Sequence, residues 1–441
     1  MIEKYLVKKI TEPVDWKVTV PGSKSMTNRA LLMAVLSAGT VRVEGVLFSD
    51  DSRHFLACLV ALGFTVEIEE EKKCVTVTGC GGRIPRGEAV IDVGSAGTAA
   101  RFLAAMLGFS DGCYEIRCSA QMKRRPMAEL FDLLSGAGAK ITFLEEEGHL
   151  PVRITGCRYA RADKTAGETP RELSLDITKS TQFLSALLLI APMVPEGMKI
   201  HITSEKTDGS YIRITRKMMQ EFGVSVAFDG RDYEVPCRSS YQKETYMVEP
   251  DMSAACYFYA AAAVTGGRAL VRHVHMDNTQ GDLRFLEVLE HMGCTADDTP
   301  EGILVTGPAD GALRGITVNM NDFSDQALTL AAIAPFADAP VRIEGIGHIR
   351  GQECDRIHAI QTTLTALGIR CEEEETAATI YPGSPHGGSV ETYDDHRVAM
   401  AFSLVGLRTD GIVIENPACC RKTFENYFTV LSELTGKTVE S

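Results

Sequence analysis

No Cys-x-x-Cys pair occurs among the thirteen cysteines, and no His/Cys cluster has the spacing of a zinc site. Dithiol redox centres and structural zinc are therefore not expected, and the thiols read as reduced core residues. Long apolar runs are missing too. Among the most apolar stretches, Ala254 to Val264 is well short of the roughly 20 residues that cross a bilayer. No N-terminal segment joins a charged head to an apolar core, so a cytoplasmic location is expected and a membrane association is not. Positive charge is in deficit as well: 45 Lys and Arg stand against 59 Asp and Glu, a formal net charge of −14. A protein that binds nucleic acid or anionic lipid through its surface needs the opposite balance.

What the chain does contain is enough apolar sequence for large cores. Its 441 residues, 45% of them hydrophobic, suggest two or three domains. Within this acidic background Lys24, Arg29, Arg125, Arg356, Arg397 and Lys422 fall at or near expected helix starts or loops. Either these are ordinary solvated charges, or they gather into a local site for a small anion.

The chain repeats itself. Six times a polar or small-residue start leads into a helix-length run of Ala, Leu and Met, then a turn, a short alternating strand and a second, amphipathic helix. The starts near Ser23, Ser95, Ser180, Ser253, Ser324 and Asp394 are spaced 70 to 85 residues apart, which argues for internal duplication. The first helices are apolar nearly all round and are expected to be buried; the second carry polar stripes and are expected to face solvent. Strands such as Thr40 to Glu44 and Val341 to Glu344 alternate, as sheets with one wet face do. A polar stretch, Arg238 to Pro250, lies midway and marks a domain crossing, with residues 1–20 completing the other half. The expectation is an α/β protein of two similar lobes with three repeats each, residues 21–246 and residues 1–20 plus 247–441, with a ligand cleft between them.

Several repeat starts carry groups able to do chemistry. Residues 21–29 (PGSKSMTNR) place Lys24, Ser25 and Arg29 beside the N–H groups of a helix N-terminus, which is either an anion site or a capped surface helix. Gly94 to Thr98 offers small residues past which a ligand can approach backbone N–H groups. Gln121 to Pro126 is a basic loop, either a solvated charge run or a carboxylate clamp. After Lys179, Ser180, Thr181 and Gln182 bring three hydrogen-bonding side chains to a helix start. Asp325 is expected to cap its helix; the alternative is a buried base. Glu353, Asp355 and Arg356 sit between two apolar stretches where a plain turn would carry Gly, Asn or Ser. His396, in Asp394 to Arg397, is read as structural.

These motifs (PGSKSMTNRA, SAGTAAR, KRRPM, STQFLSALL, SDQALTLA, QECDRI, DDHRVAM and RKTFENYF) occur in the order and spacing of one family. Over essentially its whole length the sequence resembles the 5-enolpyruvylshikimate-3-phosphate synthases. The resemblance implies a two-lobed, inside-out α/β barrel of six βαβαββ-type repeats, three per lobe. It also implies transfer of the enolpyruvyl group of phosphoenolpyruvate to the 5-hydroxyl of shikimate 3-phosphate by a monomer with no metal or organic cofactor. Carried over by motif, Lys24, Ser25, Arg29, Ser180, Thr181, Tyr211, Asp325, His348 and Gln352 would meet shikimate 3-phosphate. Lys24, Gly97, Arg125, Gln182, Arg356, Arg397 and Lys422 would hold phosphoenolpyruvate. Asp325 would take the hydroxyl proton, and Glu353 with Lys24 would manage protons at the methylene carbon.

The chain departs from the family pattern at four places. Ser95 stands where Asn is frequent, His348 and Gln352 replace an Asn and a Lys, and Thr207 to Tyr211 replaces Ser-x-Pro-Tyr. Three of the four lie on the acceptor side. Two alternatives follow: an enolpyruvyl transferase acting on another acceptor, or a catalytically inactive anion-binding homologue. The related transferase acting on a UDP-sugar uses a loop cysteine, and Lys123 to Pro126 contains none.

Overall fold

The computed structural model describes residues 3–157, 170–309 and 312–436. The chain divides into two compact units, Gly22–Glu249, and Met1–Pro21 together with Pro250–Ser441. Each has its own apolar core.

In Gly22–Glu249 three sheets share one plan, in which an edge strand runs parallel to the next strand and an antiparallel hairpin completes the four. Thr245–Met247 runs parallel to Thr40–Glu44, which pairs with Cys74–Thr78, and that strand with Thr65–Glu69. The same order recurs in Glu88–Asp92, Cys113–Arg117, Val152–Thr155 and Lys140–Phe143, and in Arg171–Leu175, Met198–Ile202, Asp232–Val235 and Ala227–Phe228. Alternation sets which face is wet. Val41 and Val43 are fully buried, while Arg42 between them pairs with Glu44 (2.8 Å) and Glu69 (3.1 Å) on the other face.

Covered by these sheets are helices Lys24–Leu36, Gly97–Gly108 and Thr181–Ile190, buried on every side beyond their first residues. Past their polar starts, which run to Arg29, Arg101 and Gln182, their sequences are almost wholly apolar and have no face to turn to water, so burial is their only stable placement. Each fully buried Leu or Met contributes about 1.5–3 kcal/mol of transfer free energy. The second helices show the expected one-sided burial. Asp50–Ala61 begins with a reciprocal cap, Ser49 N–H to Ser52 Oγ at 2.8 Å and Ser52 N–H to Ser49 Oγ at 3.5 Å, and then buries Phe55, Leu56, Cys58 and Leu59.

The other unit repeats the plan around helices Met252–Thr265, Ala327–Ile333 and His396–Arg408. Asp15–Val18 runs parallel to Arg268–Arg272, completing the sheet of the fourth repeat with Gly302–Thr306 and Thr295–Thr299. Thr317–Asn319, Val341–Glu344, Ala378–Ile380 and Cys371–Glu373 form the next sheet. The last is three-stranded, with Lys4–Leu6 taking the place of the hairpin beside Ile412–Glu415 and Gly388–Val390.

The first repeat of each unit thus takes its parallel strand from a distant part of the chain, Thr245–Met247 in one and Asp15–Val18 in the other. This accounts for the two crossings, at Pro21–Gly22 and Glu249–Pro250. Val248 N–H still bonds Glu44 O, which keeps the residues after Thr245–Met247 with their sheet. Gly22 has a packing reason, since a Cβ there would land on the Gly45 carbonyl oxygen.

Two local expectations change. The helix expected from Ser95 starts at Gly97, because Gly94 takes a left-handed φ of 54° and Ala96 stays extended. The basic stretch Gln121 to Pro126, expected as a loop, begins as the one-turn helix Ala120–Lys123, capped by Ser119 Oγ on Met122 N–H at 3.3 Å. No helix among the described residues is long and apolar enough to cross a membrane.

Candidate active site

In the Pro250–Ser441 unit the starts of several elements converge on Arg356. This residue opens helix Arg356–Ala366, whose cap is Asp355 accepting from His358 N–H at 3.1 Å. Asp325 lies in the 3-10 turn Ser324–Gln326 that runs into the buried helix Ala327–Ile333. Asp395 caps helix His396–Arg408, accepting Arg397 N–H at 2.8 Å. Just before it Tyr393 and Asp394 both have positive φ, 52° and 56°, a conformation costly for non-glycine residues and held here by the surrounding fold. Lys422 ends the 3-10 turn Pro417–Lys422.

The Arg356 guanidinium is 1% exposed and surrounded by acceptors. Its Nε donates to Asp395 Oδ2 at 2.8 Å, and Nη2 donates to Asp395 Oδ1 at 3.3 Å and Glu353 Oε2 at 3.0 Å. Nη1 donates to Asp325 Oδ1 at 3.1 Å and to Gln352 Oε1. Burial by itself pulls the arginine's pKa down; Asp395, Glu353 and Asp325 together outweigh it, so the net shift is upward and the charge is held firmly. Arg397 Nη2 reaches Asp325 Oδ2 at 2.9 Å, and Lys422 Nζ reaches Glu353 Oε1 at 3.0 Å. Asp325 thus bridges two arginines, and Glu353 bridges an arginine and a lysine.

The expectation that Asp325 caps its helix is corrected by this geometry. It sits inside the turn with its oxygens on Arg356 and Arg397. His348 is on the surface, its Nε2 at 2.8 Å from Ser324 Oγ, one residue from Asp325. Gln352 accepts from Arg356, so the residue that replaces a family lysine is tied into the same network. His396 is buried, with Nδ1 at 3.6 Å from Asp395 Oδ1.

In Gly22–Glu249 most of the remaining motif residues lie in the first turns of the three buried helices, with Arg125 just after Ala120–Lys123 and Tyr211 at the start of the helix Ser210–Glu221. Lys24 Nζ lies 3.6 Å from Asp51 Oδ2, a carboxylate that is 2% exposed. Ser23 Oγ and Ser25 Oγ are 3.2 Å apart. Arg29 is buried, and its donors go to the protein: Nε to Thr215 Oγ1 at 2.8 Å, Nη1 to Ser25 O at 2.9 Å, and Nη2 to Tyr211 O at 3.3 Å and Ser185 Oγ at 3.4 Å. Its guanidinium also lies over the Phe102 and Tyr211 rings, and burial lowers its pKa to about 10. Arg29 therefore ties Ser25 to Tyr211. Ser180 caps Thr181–Ile190 by accepting Gln182 N–H at 3.2 Å, which sets Thr181 and Gln182 in the first turn. Gly97 packs against two guanidiniums. A Cβ there would strike Arg125 Nη1 and come within 2.8 Å of Arg125 Cζ and 2.7 Å of Arg101 Nη1.

Sequence reasoning missed three supports. Asp395, named only as part of a motif, is the fully buried counter-ion of Arg356. Asp51 and Thr215 gave no signal beyond being polar residues on helices that are otherwise amphipathic.

The family model for EPSP synthase (3-phosphoshikimate 1-carboxyvinyltransferase) matches residues 8–431. The 3-phosphoshikimate 1-carboxyvinyltransferase of Trichormus variabilis is 41% identical over 97% of this chain and 98% of its own length. That of Nostoc punctiforme is 41% identical over 95% and 96%. The EPSP synthase structure from Acinetobacter baumannii superposes with a TM-score of 0.79 at 25% identity, covering 99% of this chain and 98% of the other. With the family model and the relatives matching almost from end to end, the chain belongs to the EPSP synthase (3-phosphoshikimate 1-carboxyvinyltransferase) family.

Proposed function

We infer that the chain transfers the enolpyruvyl group of phosphoenolpyruvate to the 5-hydroxyl of shikimate 3-phosphate and releases phosphate, a step toward chorismate and the aromatic amino acids. The observation that carries the reading is the buried network in which Asp325 lies between Arg356 and Arg397 while Glu353 lies between Arg356 and Lys422. It supplies two carboxylates for proton transfer beside three cations for an anion that carries both a carboxylate and a phosphate.

The reaction needs both. Asp325 takes the hydroxyl proton as the oxygen bonds to C2 of phosphoenolpyruvate, and C3 gains a proton to become a methyl group. This gives a tetrahedral intermediate. C3 then gives up a proton, the bond from C2 to the phosphate oxygen breaks, and inorganic phosphate leaves with that bond's electrons. Glu353, with Lys24, handles the protons at C3. Arg356, Arg397, Lys422, Arg125, Gln182 and the Gly97 backbone hold phosphoenolpyruvate. Lys24, Ser25, Ser180, Thr181 and Tyr211 hold shikimate 3-phosphate, with Arg29 bracing Ser25 and Tyr211 as well as contributing its charge. Carboxylates that fix the arginines in advance reduce the ordering cost of binding.

Four measurements test the reading. Phosphate release on mixing the two substrates, compared across other acceptors, checks acceptor identity, which His348 and Gln352 make the most informative point. Turnover confined to a different acceptor would favour an enolpyruvyl transferase acting on that acceptor. Arg397→Ala is expected to weaken phosphoenolpyruvate binding at least tenfold, about 1.4 kcal/mol; an unchanged dissociation constant would remove Arg397 from the site. Gly97→Ala pushes its new methyl into Arg125, so KM for phosphoenolpyruvate is expected to rise by about tenfold with little change in KM for shikimate 3-phosphate. Equal effects on both would show a general loss of structure. The reading carries a cytoplasmic monomer, for which sedimentation should return 47.9 kDa.

A further inference from the structure

Asp282 lies in the 3-10 turn Gly281–Arg284 and is 7% exposed. One of its oxygens, Oδ2, accepts from both Ser253 Oγ and Gln326 Nε2, the latter at 3.1 Å. Ser253 Oγ in turn accepts from Arg397 Nη2 at 3.4 Å, and the same nitrogen donates to Asp325 Oδ2 at 2.9 Å. Gln326 follows Asp325 in the chain, and its Oε1 is held by the Thr329 hydroxyl at 2.9 Å. Two routes thus run from Asp282 to Asp325, one through Ser253 and Arg397 and one through Gln326.

Hydrogen bonding alone does not call for an acid here. Both donors converge on one oxygen, so the carboxamide oxygen of an asparagine would accept them equally well, without the cost of burying a charge. The negative charge is what needs a reason, and its neighbour supplies one. Asp325 sits between two guanidiniums, which hold it in its ionised form and weaken it as a base; a like charge close by acts in the opposite sense. We propose that Asp282 is a positioning residue for the general base: its accepting oxygen fixes the Arg397–Asp325 pair through Ser253 and Gln326, and its buried negative charge sustains the proton affinity of Asp325. This rests on Asp325 being the base.

The charged and titratable groups around Asp282 agree with that role. Helix Met252–Thr265 presents Asp251, its cap, and Cys256, whose Sγ donates to Asp282 O at 3.7 Å. The turn Ser324–Gln326 brings Asp325, and helix His396–Arg408 brings Arg397. Burial first and the Asp325 charge second push the Asp282 carboxyl up to about 6, against the pull of Arg397 and of the Ser253 and Gln326 hydrogen bonds. The coupling between the two acids is mutual, as any electrostatic interaction is.

Asp282→Asn keeps both accepted bonds and removes only the charge. The acid limb of the kcat profile is expected to move to lower pH by roughly half a unit to one unit, with kcat on the plateau down several-fold and both KM values within about twofold. Ser253→Ala keeps the charge and cuts the route to Arg397; it is expected to raise KM for phosphoenolpyruvate about fivefold without moving the limb. A wild-type pH profile and kcat in Asp282→Asn would overturn the proposal, and if that variant does not fold, an unchanged KM in Ser253→Ala does so. Asp325→Asn separates the two levels. Retained turnover there defeats the base assignment itself, whereas an inactive Asp325→Asn beside an unaltered Asp282→Asn defeats this proposal alone.

Discussion

Asp325→Asn is expected to leave both substrates bound and to lower kcat by about 10²- to 10⁴-fold, the range for losing a positioned general base. The carboxamide keeps the shape and one acceptor oxygen, so either Arg356 Nη1 or Arg397 Nη2 retains a partner at the present 3.1 or 2.9 Å. The other arginine meets an NH₂ group. That mismatch weakens anion binding by a few-fold at most, because Arg356 is also held by Asp395 and Glu353. What the variant cannot do is accept the proton of the attacking hydroxyl. Steady-state kinetics, paired with a direct binding measurement for each substrate, separates the two effects. A raised KM with kcat near wild type would assign Asp325 to binding and leave the base unidentified.

Arg356→Ala is expected to destabilise its unit by about 3–5 kcal/mol, besides losing activity. Asp395 is completely buried and Glu353 nearly so, and both face this guanidinium. Without it, carboxylates remain in a low-dielectric core opposite a cavity, whereas Lys422 and Arg397 still serve Glu353 and Asp325. Asp395 bears most of the loss. Arg356→Lys restores a charge but not the fork that reaches Asp395 through Nε and Nη2 together, so it is expected to recover only part of the stability. Urea unfolding followed by two probes measures this, and a cost below about 1 kcal/mol for the alanine variant would show that Arg356 does not hold the cluster together.

Much of the architecture was legible because it is written at short range. The apolar run Ala254 to Val264 has no polar face, so it must be a buried helix, and it is. Alternation at Thr40 to Glu44 specifies one dry face, and Val41 and Val43 occupy it. The repeat at near-constant spacing needed no knowledge of contacts. Boundaries were less legible where a single backbone angle decides them, as at Gly94, whose positive φ delays the next helix to Gly97. The motif residues of the site were identifiable by resemblance, but their partners were not. Arg29 reads as a cation for solvent or ligand, and nothing in the sequence marks the partners that brace it inside the protein, Thr215, Ser185 and the Tyr211 carbonyl. Asp325 read as a helix cap and is instead the bridge between two arginines. Asp282 carried no signal at all, since an acid at the start of a polar turn is ordinary until its depth and its neighbours are known.

By itself, then, the amino-acid order determined the period of the repeat, which helices are buried, which strand faces are dry and which family the motifs resemble. Those properties follow from hydrophobic spacing and local sequence, which act within a dozen residues. Tertiary structure decided the ion pairs: Arg356 meets Asp325 and Asp395 from 31 and 39 positions away, and Arg397 meets Asp325 from 72. Chain distance says nothing about such contacts. They exist because helix starts from separate repeats are packed against one another, and in that buried setting each charge is stable only beside its counter-charge.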